Sequence, residues 1–267
     1  MTDPDGVRES RPWKFARRHW YGALERTSPW AYCAWNRRFP DRMVVDSGDD
    51  LLIEGYPSAA NSLTRETFML TQPGISVASH LHSAAHVRRA LALGVPALIV
   101  LRPPVESIAS IMARFPGRRF RPAIELKAYE RFYTEVSTLA DRVALSRFED
   151  TVTRLGTVTQ AMNSQLGTRF VPVVDGDPAI AGRIQAILDA WSAAVFGELS
   201  AVATARPSDA RRDALDVART VILAPRFSAV LARCEQLHAH LAGQADQRLV
   251  AWATLRSPAT GSARPSS

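Results

Sequence analysis

Three features of the sequence predict an α/β fold, with a mostly parallel sheet flanked by helices and helical additions at both ends. Short apolar runs alternate with helical patterns four times between residues 51 and 166, and such alternation builds parallel sheets through right-handed crossovers. The runs Leu51-Leu52-Ile53 and Ala97-Leu98-Ile99-Val100-Leu101 are apolar at every position, as strands covered on both faces must be. After Pro172 only helical spacing remains, with Ile180, Ile184, Ile187, Leu188 and Trp191 recurring three or four apart.

In chain order, residues 1–45 interleave Trp13, Trp20, Trp30 and Trp35 with Arg17, Arg18, Arg37 and Arg38. This reads as a helical, basic extension packed on the domain. Contact with a membrane interface is the alternative, because aromatic and basic side chains suit that boundary. The first strand is Leu51–Gly55, followed by Tyr56-Pro57-Ser58-Ala59-Ala60-Asn61-Ser62 and a helix from about residue 63 to 70. The free N–H groups of a helix starting near Asn61 or Ser62 would make the small-residue loop an anion cradle; an ordinary turn with Ser62 as helix cap is the alternative. It has neither the eight-residue Walker spacing nor its lysine. Gln72-Pro73-Gly74 is a turn, and Ile75–Ser79 is a second strand with His80 and His82 at its carboxyl end.

A helical pattern from Ala84 to Leu93 stops at Gly94, and the third strand, Ala97–Leu101, ends at Arg102. Pro103-Pro104 starts another helix, in which Ser110 lies eight residues beyond Arg102, about 12 Å along its axis. Ligands of open α/β sheets bind beyond the strands' carboxyl ends, so Arg102 and Ser110 could hold one phosphate-bearing ligand. A helix over residues 124–139 precedes a fourth strand, Val143–Phe148, which runs through Glu149-Asp150 into a helix ending at Leu166. Helices over 215–223 and 227–241 are divided by Pro225, and residues 202–210 form a loop. Residues 1–256 thus read as one domain: the extension 1–45, an α/β core over 46–171, and a helical part over 172–256. The Pro-, Ser- and Gly-rich tail 257–267 reads as disordered.

The apolar fraction is 46% and no run of 18 apolar residues occurs, so no membrane span is expected. Met1–Arg18 is polar, and Cys33 and Cys234 stand far apart without metal-ligand spacing. A cytoplasmic setting is the simplest expectation. Of the 33 basic residues only Lys14 and Lys127 are lysines, and the formal net charge is +7. Arg114, Arg118, Arg119 and Arg121 form a second basic cluster, suited to an acidic substrate. Without a zinc finger, helix-turn-helix or aromatic RNA-binding pattern, no nucleic-acid partner is expected.

Three segments together resemble the sulfotransferases that use 3′-phosphoadenosine 5′-phosphosulfate (PAPS) as donor. "GYPSAANSLT", Gly55–Thr64, is similar to their strand–loop–helix around the donor's 5′-phosphosulfate. "SHLH" places His80 where the family has a base for the acceptor hydroxyl, with His82 able to take that role. "LRPPVESIAS" matches the strand-end arginine and the serine eight residues later, which bind the donor's 3′-phosphate. The 22 residues from His80 to Arg102 fit the family's step. "RFEDTV" resembles the segment that closes the core, and "MNSQLGTRF" the stretch that follows it.

The resemblance covers about Leu51 to Phe170 and implies a P-loop NTPase-like version of the fold. It implies donor contacts from Ser58, Ala59, Ala60, Asn61, Ser62, Leu63, Arg102 and Ser110, with His80 as the catalytic base. PAPS is the implied donor co-substrate and 3′,5′-bisphosphoadenosine (PAP) its product; no metal is implied. The acceptor would be a hydroxyl on a carbohydrate, lipid or small metabolite. Six positions depart from the pattern: Ser58 for a lysine or arginine, Ala59-Ala60-Asn61 for Ser-Gly-Thr, Leu63 for an aromatic, and Phe148 for a tyrosine. The loop cation would then come from elsewhere, with Arg65 and the Arg211–Arg212 pair as candidates. The alternative is a PAPS- or PAP-binding relative that is catalytically weak or inactive and acts as a binding or regulatory protein. Other readings of single residues stay open: a metal group from His80, His82 and His86; an Arg102–Glu106 salt bridge; and Ser110 as a small packing residue.

Overall fold

A computed structural model describes residues 24–39, 42–115, 120–196 and 208–256. Helix α1 (Pro29–Asn36) precedes β1 (Leu51–Gly55), α2 (Asn61–Thr71), β2 (Val77–Ser79) and α3 (Ala84–Leu93). Then come β3 (Ala97–Leu101), α4 (Pro104–Arg114), α5 (Pro122–Ser137), β4 (Ala144–Arg147), α6 (Phe148–Thr153) and α7 (Leu155–Leu166). Helices α8 (Pro178–Phe196), α9 (Asp209–Ile222) and α10 (Ser228–Arg256) complete the described chain.

All four strands are parallel, in the order β2-β1-β3-β4. The chain leaves β1 for β2 on one side and returns for β3 on the other. Their diverging connections open a crevice at the carboxyl ends of β1 and β3, the switch point where such sheets bind ligands. The expected α/β architecture is therefore present, and it places the Gly55–Ser62 loop beside Arg102.

Alternate strand residues feed two cores. Leu52, Ile99, Leu101 and Leu145 are buried on one face with Val87, Tyr129, Tyr133 and Leu241. Leu51, Ile53, Leu98 and Val100 are buried on the other with Phe68, Val158 and Met162. That split is the two-residue period of a strand. Each such side chain removed from water contributes about 1.5–3 kcal/mol. Gly55 must lack a side chain, because a Cβ there would lie 2.6 Å from the Val100 carbonyl oxygen.

Several boundaries differ from the expectation. β2 begins at Val77 rather than Ile75: the Asp50 carboxylate accepts from Ser76 N at 2.9 Å and Asp49 accepts from its hydroxyl at 2.5 Å. Helix α2 begins at Asn61, one of the two starts expected. Helix α5 is displaced by two residues, and β4 is confined to Ala144–Arg147. The helix expected to run unbroken to Leu166 divides at Arg154, where Asp175 accepts from Gly156 N at 2.6 Å and caps α7. Helix α10 extends to Arg256, fifteen residues past the expected Leu241.

Of the N-terminal pattern, Trp30 lies in α1, largely exposed, with the Arg89 guanidinium 3.5 Å from its ring centroid. Trp13, Trp20, Arg17 and Arg18 lie outside the described residues, as do Arg118, Arg119, most of the 202–210 loop and the 257–267 tail. Cys33 and Cys234 are buried and unbonded to each other. No described helix is long and apolar enough to cross a membrane.

Candidate active site

The loop after β1 holds two residues in left-handed backbone geometry, Ser58 and Ala60, each with φ 68°. This costs a residue with a Cβ about 1–2 kcal/mol. Alternation of this kind turns successive backbone N–H groups toward a common concavity. Ala60 caps α2 and has no side chain to accept from it. Among the described residues no acceptor takes the N–H of Asn61, Ser62 or Leu63. The positive end of α2 thus faces the switch point with three donors available. Ala59 is fully buried against the sheet, Leu63 is half-buried, and buried Asn61 donates from Nδ2 to the Gly55 carbonyl at 3.2 Å. Ser62 does not cap the helix, as the alternative reading had it; its hydroxyl pairs with His80 Nε2 at 2.8 Å.

From the neighbouring strand, Arg102 donates to the Ser58 carbonyl at 2.6 Å, with its guanidinium 4.3 Å from the Phe148 ring centroid. Tyr129 and Tyr133, one turn apart on α5, hold the strand end in place. Tyr129 OH donates to the Arg102 carbonyl at 2.7 Å, and Tyr133 OH donates to Val100 at 2.8 Å while accepting from Tyr56 N at 3.2 Å. The Arg102–Glu106 salt bridge does not form, because Arg219 takes both Glu106 oxygens at 2.8–2.9 Å. Nor is Arg65 the loop's cation: it is bonded to the Val77 carbonyl and paired with Glu66. Arg102 is the guanidinium that reaches the Ser58 backbone, across the sheet.

Ser110 is buried, and its hydroxyl accepts from Arg211 of α9 at 3.1 Å. Arg211 therefore serves the Ser110 side rather than the loop. Arg114 stands one helical turn beyond Ser110 and shares its face of α4. Its Nε is buried without an acceptor. Burial, together with the charges of Arg211 and Arg102, pushes the Arg114 guanidinium down to about 10. Burial also lowers Arg102 and Arg211. Neither Arg102 nor Arg114 pairs with a carboxylate among the described residues. Buried unpaired charge is costly, and an anion would relieve that cost. The residues present thus fit a ligand with separated phosphates: the loop and Arg102 on one side, Ser110, Arg211 and Arg114 on the other.

The histidine segment is fastened to β1 by Glu54, whose side chain is fully buried. Its carboxylate accepts from Leu81 N at 2.9 Å, His82 N at 3.0 Å and His86 Nδ1 at 2.7 Å. Burial alone would raise this carboxyl, but the His86 hydrogen bond and the neighbouring imidazoles hold it below the ordinary range. His86 Nε2 accepts from Val45 N at 2.8 Å. Both His86 nitrogens are thus engaged, and His86 joins no metal group with His80 and His82. His80 and His82 are left-handed, with φ 70° and 51°, and the Glu54 bonds on either side of Leu81 hold that strained turn. His82 Nδ1 lies 2.8 Å from the Gly55 carbonyl.

Burial, with a contribution from His82, lowers His80 from 6.5 to about 4; Arg65 and Arg42 act in the same sense and Glu54 opposes them. Because the unfolded chain binds this proton near pH 6.5 and the folded chain only near 4, the stability from neutral His80 is complete above about pH 6.5. It is lost as pH falls toward 4. Urea unfolding should show this as a slope of at most ~1.4 kcal/mol per pH unit in that window, shallower in His80→Gln. An equal slope in the variant would remove His80 as its source.

Sequence reasoning had not assigned Glu54, Arg114 or the two tyrosines. A lone glutamate inside an apolar strand, an arginine four residues beyond Ser110, and tyrosines at helical spacing were the available signals. No protein-family model and no curated protein matches this chain. Among solved structures, the crystal structure of mouse sulfotransferase SULT7A1 complexed with PAP aligns with 79% of this chain and 90% of that one, at 11% identity and a TM-score of 0.41. The α/β assignment rests on this chain's own strand order and register.

Proposed function

We propose that this chain binds PAPS at the β1/β3 switch point and transfers its sulfuryl group to a hydroxyl on a carbohydrate, lipid or small metabolite. The observation carrying this reading is the bond from Arg102 to Ser58 O, with the half-buried Arg114 holding its Nε buried and without an acceptor. The loop has Ser58 where the resembled family has a cation, and a guanidinium from the next strand is bonded to it.

The donor supplies a sulfuryl group activated by a phosphate leaving group. The free N–H groups of Asn61, Ser62 and Leu63 face the 5′ side together with the Arg102 guanidinium, which the resemblance put with Ser110 on the 3′-phosphate but which is bonded to Ser58 O; they balance charge that grows on the leaving phosphate oxygen. Such preorganised donors act where charge develops. Ser110, Arg211 and Arg114 hold the 3′-phosphate. At the end of β2, where the resemblance names His80 and leaves His82 open, an imidazole receives the acceptor's proton. The acceptor oxygen forms a bond to sulfur while the sulfur–oxygen bond to the donor phosphate breaks, its electron pair leaving with PAP. Binding without transfer is the competing reading, favoured by the absence of a cation at Ser58 itself.

Calorimetry tests the site. PAP should bind at least tenfold tighter than adenosine 5′-phosphate, since a charge-assisted hydrogen bond contributes about 1.5–3 kcal/mol. The difference should collapse in Arg211→Ala. Equal affinity for both nucleotides, or no binding, would reject the reading. Labelled PAPS with a mixed acceptor set then separates transfer from binding alone.

A further inference from the structure

We infer that His82, through Nε2, is the group that takes the acceptor's proton, and that His80 is tied to the donor loop as a support. The inference takes its chemistry from the transfer reading, but its geometry comes from hydrogen bonding alone.

A proton acceptor needs a bare nitrogen facing the cleft. His82 Nδ1 is 2.8 Å from the Gly55 carbonyl, and a carbonyl oxygen only accepts, so Nδ1 carries the hydrogen. Its 3.2 Å approach to Asn61 Nδ2 is then a contact between two N–H groups that both donate to Gly55 O. In the neutral ring the lone pair must lie on Nε2. The His82 side chain is 23% exposed, so this ring reaches the solvent of the crevice. Its main chain is pinned by Glu54, whose carboxylate also stands 3.7 Å from Nδ1. A carboxylate beside the protonated nitrogen stabilises the imidazolium formed when Nε2 accepts a proton.

His80 is arranged the other way. Its Nε2 is engaged by Ser62 Oγ at 2.8 Å, and its Nδ1 is buried with no partner. Nδ1 is unsatisfied in either tautomer and Nε2 is tied to Ser62 in both; the assignment that goes with a His82 base puts the hydrogen on Nε2, donated to Ser62. The only lone pair of His80 is then sealed inside the protein. Its lowered pKa agrees with a ring that stays neutral. The same bond leaves the Ser62 hydroxyl proton free to donate, at the first turn of α2. The groups facing the two rings are Glu54 from β1, Asn61, Ser62 and Arg65 from α2, and Arg42, which donates to the His80 carbonyl at 3.3 Å.

The step balances: the acceptor's O–H proton passes to His82 Nε2 as its oxygen bonds to sulfur, and the donor phosphate departs with the electron pair. The full chain labelled with nitrogen-15 decides the assignment through long-range ring correlations at neutral pH. His82 should show Nδ1–H with a bare Nε2, and His80 should show Nε2–H. Diethyl pyrocarbonate, which attacks a bare imidazole nitrogen, should label His82 and spare His80. A bare Nε2 on His80, with its preferential labelling, overturns the inference whatever the donor proves to be. With an acceptor that turns over, His82→Asn keeps an amide donor for Gly55 but loses the base. Its rate should fall about 100-fold or more, and retained turnover also overturns the assignment. If the ring spectra agree but PAP does not bind, the transfer reading falls and the hydrogen-bond assignment stands.

Discussion

Replacing Glu54 with alanine should lower the melting temperature by about 10 °C. The carboxylate is fully buried and accepts from two backbone N–H groups and one imidazole. Alanine would leave all three donors without acceptors in a dry interior. Breaking a buried charged arrangement from one side costs about 3–5 kcal/mol, and each kcal/mol moves the midpoint of a chain this size by about 2–4 °C. The damage should concentrate in the His80–His82 turn, whose left-handed residues lose their anchor, so amide hydrogen exchange at Leu81 and His82 should rise first. Glu54→Gln should cost less, because its amide oxygen still accepts while its NH2 meets another donor. A midpoint change under about 2 °C in Glu54→Ala would show that the carboxylate is not the strut.

Arg102→Ala should weaken PAP binding by about 100-fold or more. Among the described residues this side chain is the one cation bonded to the loop backbone, through Ser58 O, and it also adds to the charge felt by Arg114. Its loss removes a charge-assisted contact of about 1.5–3 kcal/mol and also releases the loop that presents the α2 N–H groups. Arg102→Lys should fall between the wild type and alanine. A lysine keeps the charge but lacks the planar fork that can serve the Ser58 carbonyl and an anion together. Stability should change little by comparison, since the Tyr129 contact is to the Arg102 main chain. Calorimetric affinity of Arg102→Ala within threefold of the wild type would rule out this arginine as the loop's cation.

The two predictions differ in how far their residues could be read in advance. Arg102 was legible as a strand-end arginine, because an apolar strand is a local pattern and the following Pro-Pro marks its end. That it turns toward Ser58 rather than Glu106 was not legible: Glu106 is drawn off by Arg219, 113 residues away. Glu54 carried a visible signal, a charge inside an apolar strand, but its three donors come from residues 27 to 32 positions later. Arg114 looked like one member of a surface cluster until α9 packed against α4 and brought Arg211 to Ser110. Which histidine offers a bare nitrogen depended on Ser62 turning to His80 instead of capping α2.

Element types, their order, the parallel sheet and the spacing from His80 through Arg102 to Ser110 could be read from local periodicity, because side-chain period and turn residues act within a few positions. Strand order, the source of the loop's cation, the gathering of Arg102, Arg114 and Arg211, and the tautomers of His80 and His82 depended on tertiary packing. Charge and hydrogen-bond energies fall off over a few ångströms in space, and chain distance says nothing about them until the sheet has folded.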